Sequence, residues 1–301
     1  MADAPSTGAP IRWQGAAAYG AIAVIGAALF FVSRDAPAAM PVWGPYDFSW
    51  PIYLTAALSL FWYLRGLFRM DAEDWPPLWR ILSFFLGLLA IYAVVQTRFE
   101  YLAQHMFFLN RIQHVAMHHV GPVFLALSMC GPVILAGAPD WLRRVAGARP
   151  VGMVMAVVQQ PVIATVLFVG LFYFWLIPPV HFVAMLDPLL YQVMNWTMAV
   201  DGILFWALVL DSRPCPPARL RFGIRAALAG IVMFPQILLG AVITFATTDI
   251  FPYYAFCGRL FPSVGPVADQ QIGGIVIWIP PAMMSLIALL VVVGNMRRAE
   301  R

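Results

Sequence analysis

The chain contains no lysine: all 18 of its basic residues are arginine, set against 14 acidic groups in 301 residues. That absence removes Schiff-base chemistry and the phosphate-loop lysine from consideration. Charge of either sign is scarce, at 11% of residues, where a soluble globular chain carries about 25%. Cysteine is almost as rare. Cys130, Cys215 and Cys257 are too few and too far apart for a disulfide framework or a CxxC site. There is no dinucleotide fingerprint, nucleophile elbow or HExxH pair either, so nothing points to nucleotide-driven transport or hydrolysis. What the chain has instead is apolarity: 62% of residues are hydrophobic, which excludes disorder. The net charge of +4 and the pI near 9.1 come from arginines scattered among long apolar runs. That distribution speaks against nucleic acid and for a polytopic membrane protein with its charge confined to loops.

A membrane-spanning helix needs about 20 mostly apolar residues. Eight stretches qualify, at roughly 14–32, 50–68, 80–97, 105–136, 153–177, 189–210, 224–246 and 272–293. Nothing alternates with the period of a barrel, so the expected fold is an all-α bundle of about eight transmembrane helices, one membrane domain over 1–301. The first run could be misread as a signal peptide, but its length of about 19 residues exceeds the usual 7 to 15 and marks a retained helix. The breaks fall where proline, glycine and charge cluster. Counting loops from a cytoplasmic N-terminus places 14 arginines inside, from Arg12 through Arg65, Arg143 and Arg225 to Arg301. Only Arg34, Arg98 and Arg259 fall outside, and Arg111 lies within the fourth segment. The positive-inside rule then puts both termini in the cytoplasm.

Ionisable groups within a bilayer are costly and mark function by default. Four of the five histidines, His105, His114, His118 and His119, lie in the fourth segment. At 100° per residue, Asn110, Arg111, His114, Met117, His118 and Gly121 form one polar stripe, with His105 and His119 pointing elsewhere. His114 and His118 stand at i and i+4, the spacing that aims two imidazoles at one ligand. Imidazole with the Met117 thioether suits copper, and two axial histidines from different helices, His114 or His118 with His181, suit haem. The plainer reading is a stripe that only hydrogen-bonds neighbouring helices. His181 and Met185 lie at the outer end of the fifth segment, and Asp269, Gln270 and Gln271 open the last one at the same end, as a site element or as a helix cap. Asp201, near the middle of the sixth segment, needs a partner, and Arg111 is the natural candidate. Cys257, alone in the outer loop, reads as a buried apolar residue or as a soft Cu(I) ligand.

Three blocks carry a resemblance to a known family. The first runs from His105-Met106-Phe107-Phe108 through Arg111-x-Gln113-His114 to His118-His119-x-Gly121-Pro122. The second links Phe174-Trp175-Leu176-Ile177-Pro178 and His181 to Met194-Asn195-Trp196, Asp201-Gly202 and Leu204-Phe205-Trp206. The third is Asp269-Gln270-Gln271-x-Gly273-Gly274 with Trp278-x-Pro280. Together they resemble the multi-pass bacterial cytochrome c oxidase assembly factor family called CtaG, over a core of 105–293, while the helices within 14–97 are less distinctive. Members often carry a further histidine where this chain has Asn110. The resemblance implies a non-enzymatic inner-membrane factor that takes part in building haem-copper oxidases. It further implies supply of Cu(I) to a nascent oxidase subunit, with other copper chaperones as further partners. On that reading the metal is held on the periplasmic side by His114, His118, His105, His181 and Met117. The polar residues Asp269, Gln270, Gln271, Arg111 and Asp201 surround the site. A haem-binding redox protein and a metal-free assembly scaffold are the alternatives.

Overall fold

The computed structural model describes residues 9–300, with side chains from residue 15 onward, so Arg12 and Arg301 lie outside the described side chains. Among the described residues there is no strand. The first helices are α1 (Ala9–Asp35), α2 (Trp50–Leu67) and α3 (Leu78–Val95). The fourth apolar run is broken into α4 (Arg98–His105), α5 (Phe107–Val115), a π-helical turn (Ala116–Val120), α6 (Gly121–Ser128) and α7 (Gly131–Gly137). Then follow α8 (Asp140–Ala146), α9 (Arg149–Val158), α10 (Pro161–Phe174), α11 (Pro178–Leu186) and α12 (Pro188–Val209). The chain closes with α13 (Phe222–Ile231), α14 (Met233–Phe245), α15 (Tyr253–Cys257) and α16 (Pro266–Ala299).

Proline explains half of these starts. In eight of the helices, among them α2, α6, α10, α12 and α16, a proline sits in the first turn. There its missing N–H costs nothing and its fixed φ is already helical. Pro280 and Pro281 are the exception, inside a continuous α16. Four helical runs are long and apolar enough to cross a membrane, 15–35, 78–95, 222–245 and 266–299. Two bent pairs raise the number to six: 107–128 with 131–137, turned by 72°, and 149–158 with 161–174, turned by 71°. The other two expected spans are helices, α2 and α12, that fall short of that apolarity. In α12 the reason is visible, since Asn195 and Asp201 are polar but buried inside the bundle. Large apolar side chains remain exposed along the outer faces, as with Phe234 (67%), Leu238 (64%) and Leu290 (63%). Such a belt suits a lipid surface and not water.

The last helix, α16, acts as the spine, packing along α13 and α14 and also against α5. On the far side α3 lies on α6, and α2 lies on α7. These second pairings are close because glycine faces backbone. A Cβ on Gly66 would fall on the Val133 carbonyl, and one on Gly137 on the Trp62 carbonyl. With lipid as solvent, this intimacy of small residues is what holds helices together.

Each end of the bundle is tied in its own way. At the arginine-rich end, Arg69 donates to the Ala136 carbonyl (3.0 Å), Arg219 to the Met155 carbonyl (2.7 Å), and the buried Arg225 to the Asp211 and Leu220 carbonyls. At the opposite end, the Ser49 N–H donates to Gln96 Oε1 (3.4 Å) and Arg98 to the Met40 carbonyl (3.2 Å). Gly137→Val is expected to overpack the α2–α7 contact by about 1–3 kcal/mol. The measurement is the thermal unfolding midpoint in detergent, beside Gly152→Val as a control at a position with open space. An unchanged midpoint for Gly137→Val would sink this account of the contact.

Candidate functional site

The polar residues assemble around the start of α5. Met106 is extended (φ −139°, ψ 132°), so α4 ends and α5 begins with free N–H groups. Those groups are met from another helix: the N–H of Phe107 donates to Asp269 Oδ2 (3.0 Å) and that of Phe108 to Oδ1 (2.9 Å). Asp269 is fully buried, and Arg259 pairs with the same carboxylate while standing 3.5 Å from Asp249. A carboxylate at a helix N-terminus is favoured by both the orphan donors and the macrodipole. Asp269 therefore does cap a helix, but α5 and not its own. Gln270 fixes the preceding loop, accepting from the Ile250 N–H (2.7 Å) and donating to the Thr248 carbonyl (3.1 Å). Gln271 is half-buried and takes no part in these bonds. Gly273 leaves the slot that the Phe107 ring fills, and that ring stacks on Phe251 at 4.2 Å. The Asp-Gln-Gln-x-Gly-Gly run is thus a clamp that seats α16 on α5.

Behind the clamp lies Arg111, 1% exposed, its guanidinium 5.0 Å over the Phe107 ring and bonded to Asn110 Oδ1. Tyr254 and Tyr191 flank it. The expected partner was Asp201, and the structure corrects this. Among the described residues Arg111 has no carboxylate partner, and Asp201 Oδ2 lies instead 3.2 Å from His118 Nε2. Depth decides it: Arg111 sits in the first turns of α5, level with the clamp, and Asp201 in the middle of α12.

The single polar stripe is also split. The π-helical turn at Ala116–Val120 widens the backbone, so a uniform 100° wheel fails there. Met117 packs into an apolar cluster with Ile52, Val94 and Val95 and borders an apolar cavity of about 480 Å³. Gly121 faces Ile91 on α3. His118 turns the other way, stacking on Phe168 at 4.1 Å. The open turn is held by α12. Trp206 Nε1 donates to the His118 carbonyl (3.2 Å), and Gly202 lets the two backbones meet, since a Cβ there would lie 2.5 Å from that same carbonyl oxygen.

The histidine partners fix which ring nitrogens remain available. His118 Nε2 lies 3.2 Å from the Asp201 carboxylate; with that nitrogen as the donor, a lone pair remains on Nδ1, which has no hydrogen-bond partner. His119 Nε2 lies 3.3 Å from Gln236 Oε1, and its Nδ1 is likewise unpartnered. The two rings are 4.8 Å apart. His114, 1% exposed with Nε2 unpartnered, has Arg111, His181 and His118 as neighbours. His181 is engaged at both nitrogens: Nδ1 donates to the Trp175 carbonyl (3.1 Å) and Nε2 accepts from the Tyr254 hydroxyl (2.9 Å). Burial pushes the Tyr254 phenol well above its ordinary value, against the pull of Arg111, so the hydroxyl keeps the proton it donates. His105 stands apart, bonded through Nδ1 to the Tyr101 carbonyl (2.8 Å).

Four buried participants have no site role in the sequence reading: His119, Gln236, Tyr254 and Gln113, which accepts from the Tyr191 hydroxyl (3.0 Å) and donates to the Val94 carbonyl (2.9 Å). Gln236, a lone amide in an otherwise apolar run, was the available signal. Cys257 is exposed, not buried, with the Tyr253 hydroxyl donating to its sulfur at 3.5 Å. Among the described residues no three His, Cys, Asp or Glu side chains gather as a metal cluster.

The family described as cytochrome c oxidase caa3 assembly factor (Caa3_CtaG) matches residues 61–299 of this chain. No curated protein and no solved structure matches it. Asp269→Ala is expected to uncap α5 and leave Arg259 with a weaker partner, at a cost of about 3 kcal/mol. Asp269→Asn, which keeps one acceptor, should cost less. Thermal unfolding of the two purified variants measures the order, and equal midpoints for both variants would exclude the capping role.

Proposed function

We propose that this chain, which belongs to the cytochrome c oxidase caa3 assembly factor family, serves oxidase assembly by taking up Cu(I) as cargo and passing it to a nascent oxidase subunit. The observation that carries this reading is the set of buried imidazoles with a free ring nitrogen, His118 and His119 at Nδ1 and His114 at Nε2. Neutral imidazole is a good ligand for copper, and a low ligand count favours release. His118 has in addition the bracing common to metal-binding histidines, its second nitrogen bonded to a carboxylate, Asp201. The residues thus fit Cu(I), and His114 and His118 would hold it, with His119 beside them. His105, His181 and Met117 belonged to the expected set. His181 would have to give up a hydrogen bond to join, and Met117 and His105 face other surroundings.

The same reading makes the chain an eight-span protein of the bacterial inner membrane with both termini cytoplasmic. At 18 and 22 residues, α2 and α12 both fall within the range of about 17–25 residues that crosses a bilayer core. The arginine-poor end, where the clamp and His181 sit, would face the periplasm. Cargo would enter there, and the chain would catalyse no reaction of its own.

A second reading is favoured by the hydrogen bonds themselves. His118 to Asp201, His119 to Gln236 and His181 to Tyr254 each join two elements, as polar residues do in membrane bundles. A metal-free scaffold would need nothing more of them. Copper quantitation on the purified protein separates the two. On the copper reading, His114→Ala and His118→Ala lose most of the bound Cu(I), and Asp201→Asn weakens it by about 10–100-fold. Copper content equal to wild type in all three folded variants, or none in wild type after loading with Cu(I), would leave only the scaffold.

A further inference from the structure

At the arginine-poor end the loop between α1 and α2 and the short helix α4 enclose a pocket of about 270 Å³, lined by Tyr46, Asp47, Glu100, Tyr101 and Gln104. Its walls are held in place. Thr97 caps α4 by accepting from the Phe99 N–H (3.2 Å), and Arg98 ties the helix to the loop through the Pro37 (3.4 Å) and Met40 (3.2 Å) carbonyls. The one nearby guanidinium on α4 is thereby occupied with carbonyls and neutralises neither acid.

Glu100 lies at the floor of the pocket, 4% exposed, and its carboxylate has no hydrogen-bond or ion-pair partner among the described residues. Asp47 stands exposed at the rim, equally without an ion pair. Burial first, then the charge of Asp47, pushes the Glu100 carboxyl well above the usual carboxylate range. A buried acid left alone is costly, and a cation in the pocket would remove the cost.

The kind of cation follows from the walls. The Tyr46 and Tyr101 rings meet at 4.8 Å with a 44° tilt and form an aromatic side to the pocket. Aromatic faces beside carboxylates are the surroundings of organic cations, whose apolar stem needs covering as well as their charge. The side-chain donors of the walls are two carboxylates, one amide and two phenols, and no three His, Cys, Asp or Glu side chains gather there or elsewhere among the described residues as a metal site would have them.

We propose that this pocket receives the guanidinium or ammonium end of a basic side chain presented by a partner protein at the arginine-poor face. Charge complementarity argues for the occupant: the pocket has two uncompensated acids, and a planar guanidinium pairs with carboxylates through paired N–H bonds. The inference stands on the pocket alone and is independent of the copper reading.

Calorimetric titration of the purified full-length protein in detergent tests it. The probes are the peptide acetyl-Gly-Arg-Gly-amide, its uncharged citrulline counterpart, agmatine and Ca²⁺. The arginine peptide should bind, the citrulline peptide at least tenfold more weakly, and Glu100→Gln should weaken the arginine peptide about tenfold or more. Asp47→Asn, at the exposed rim where folding is not at stake, should weaken it in the same direction. Equal binding of the two peptides, or unchanged affinity in both variants, overturns the proposal. Displacement of the peptide by Ca²⁺ at lower concentration would make the pocket a metal site instead. Agmatine binding without peptide binding would make it a site for free amines.

Discussion

The carboxylate of Asp269 is the interaction on which the rest of the site depends. It stands at the first turn of α16 and closes the N-terminus of α5, so the longest helix and the histidine-bearing helix share one anchor. Two N–H groups and one guanidinium satisfy it, which is what a fully buried carboxylate requires. Because α5 is only nine residues long, fixing its first turn also fixes Arg111 and His114 one and two turns later. Gly273 and Gly274 let α16 come close enough for this to happen, against Phe107 on one side and Thr244 on the other. Charge, cap and close approach are thus one device, built from six consecutive residues.

The π-helical turn is the second constraint, and α12 makes it possible. A widened turn leaves its backbone carbonyls poorly served, and in an apolar interior each unserved group costs free energy. Trp206 supplies the donor for the His118 carbonyl, and Gly202 supplies the room. Asp201, one residue earlier, reaches the His118 ring itself. The Asp-Gly and Phe-Trp pairs therefore serve the same residue twice, once at its backbone and once at its side chain. The wider turn is also what sends Met117 and His118 to opposite sides, one into the aliphatic cluster under α2 and α3, the other against Phe168 on α10.

How far the sequence could be read follows from these same residues. All-helical architecture was legible because apolar runs of membrane length leave little choice, and the prolines that broke those runs reappear as first-turn residues. That the His114–His118 region and the Asp269 run lie buried inside the bundle was legible from cost alone, since polar groups in apolar segments are kept away from lipid. Their arrangement was not. A helical wheel assumes 3.6 residues per turn, and the π-turn violates that assumption in the middle of the stretch that mattered most. Pairing Arg111 with Asp201 followed from charge, but charge carries no depth: His118 was nearer, and a neutral imidazole N–H serves a carboxylate as well as geometry allows. His119 was set aside by the same wheel that misplaced Met117.

Arg111 gives the arginine-poor half an electrostatic character of its own. Among the described residues this buried cation forms no ion pair with an acid, and Glu100 and Asp47 form none with a cation. The two acids lie at the surface pocket, and the arginine lies deeper, beside His114 and His181. In a medium of low dielectric, a positive charge near His114 opposes any second cation that approaches, and opposes a divalent one twice as strongly. The proposed cargo, Cu(I), carries a single charge and gains from imidazole nitrogen, so it meets the smaller penalty. The same repulsion limits how tightly it is held. For a protein whose family assembles an oxidase, a site that admits a monovalent metal and does not retain it strongly is better suited to transfer than one with a full set of anionic ligands.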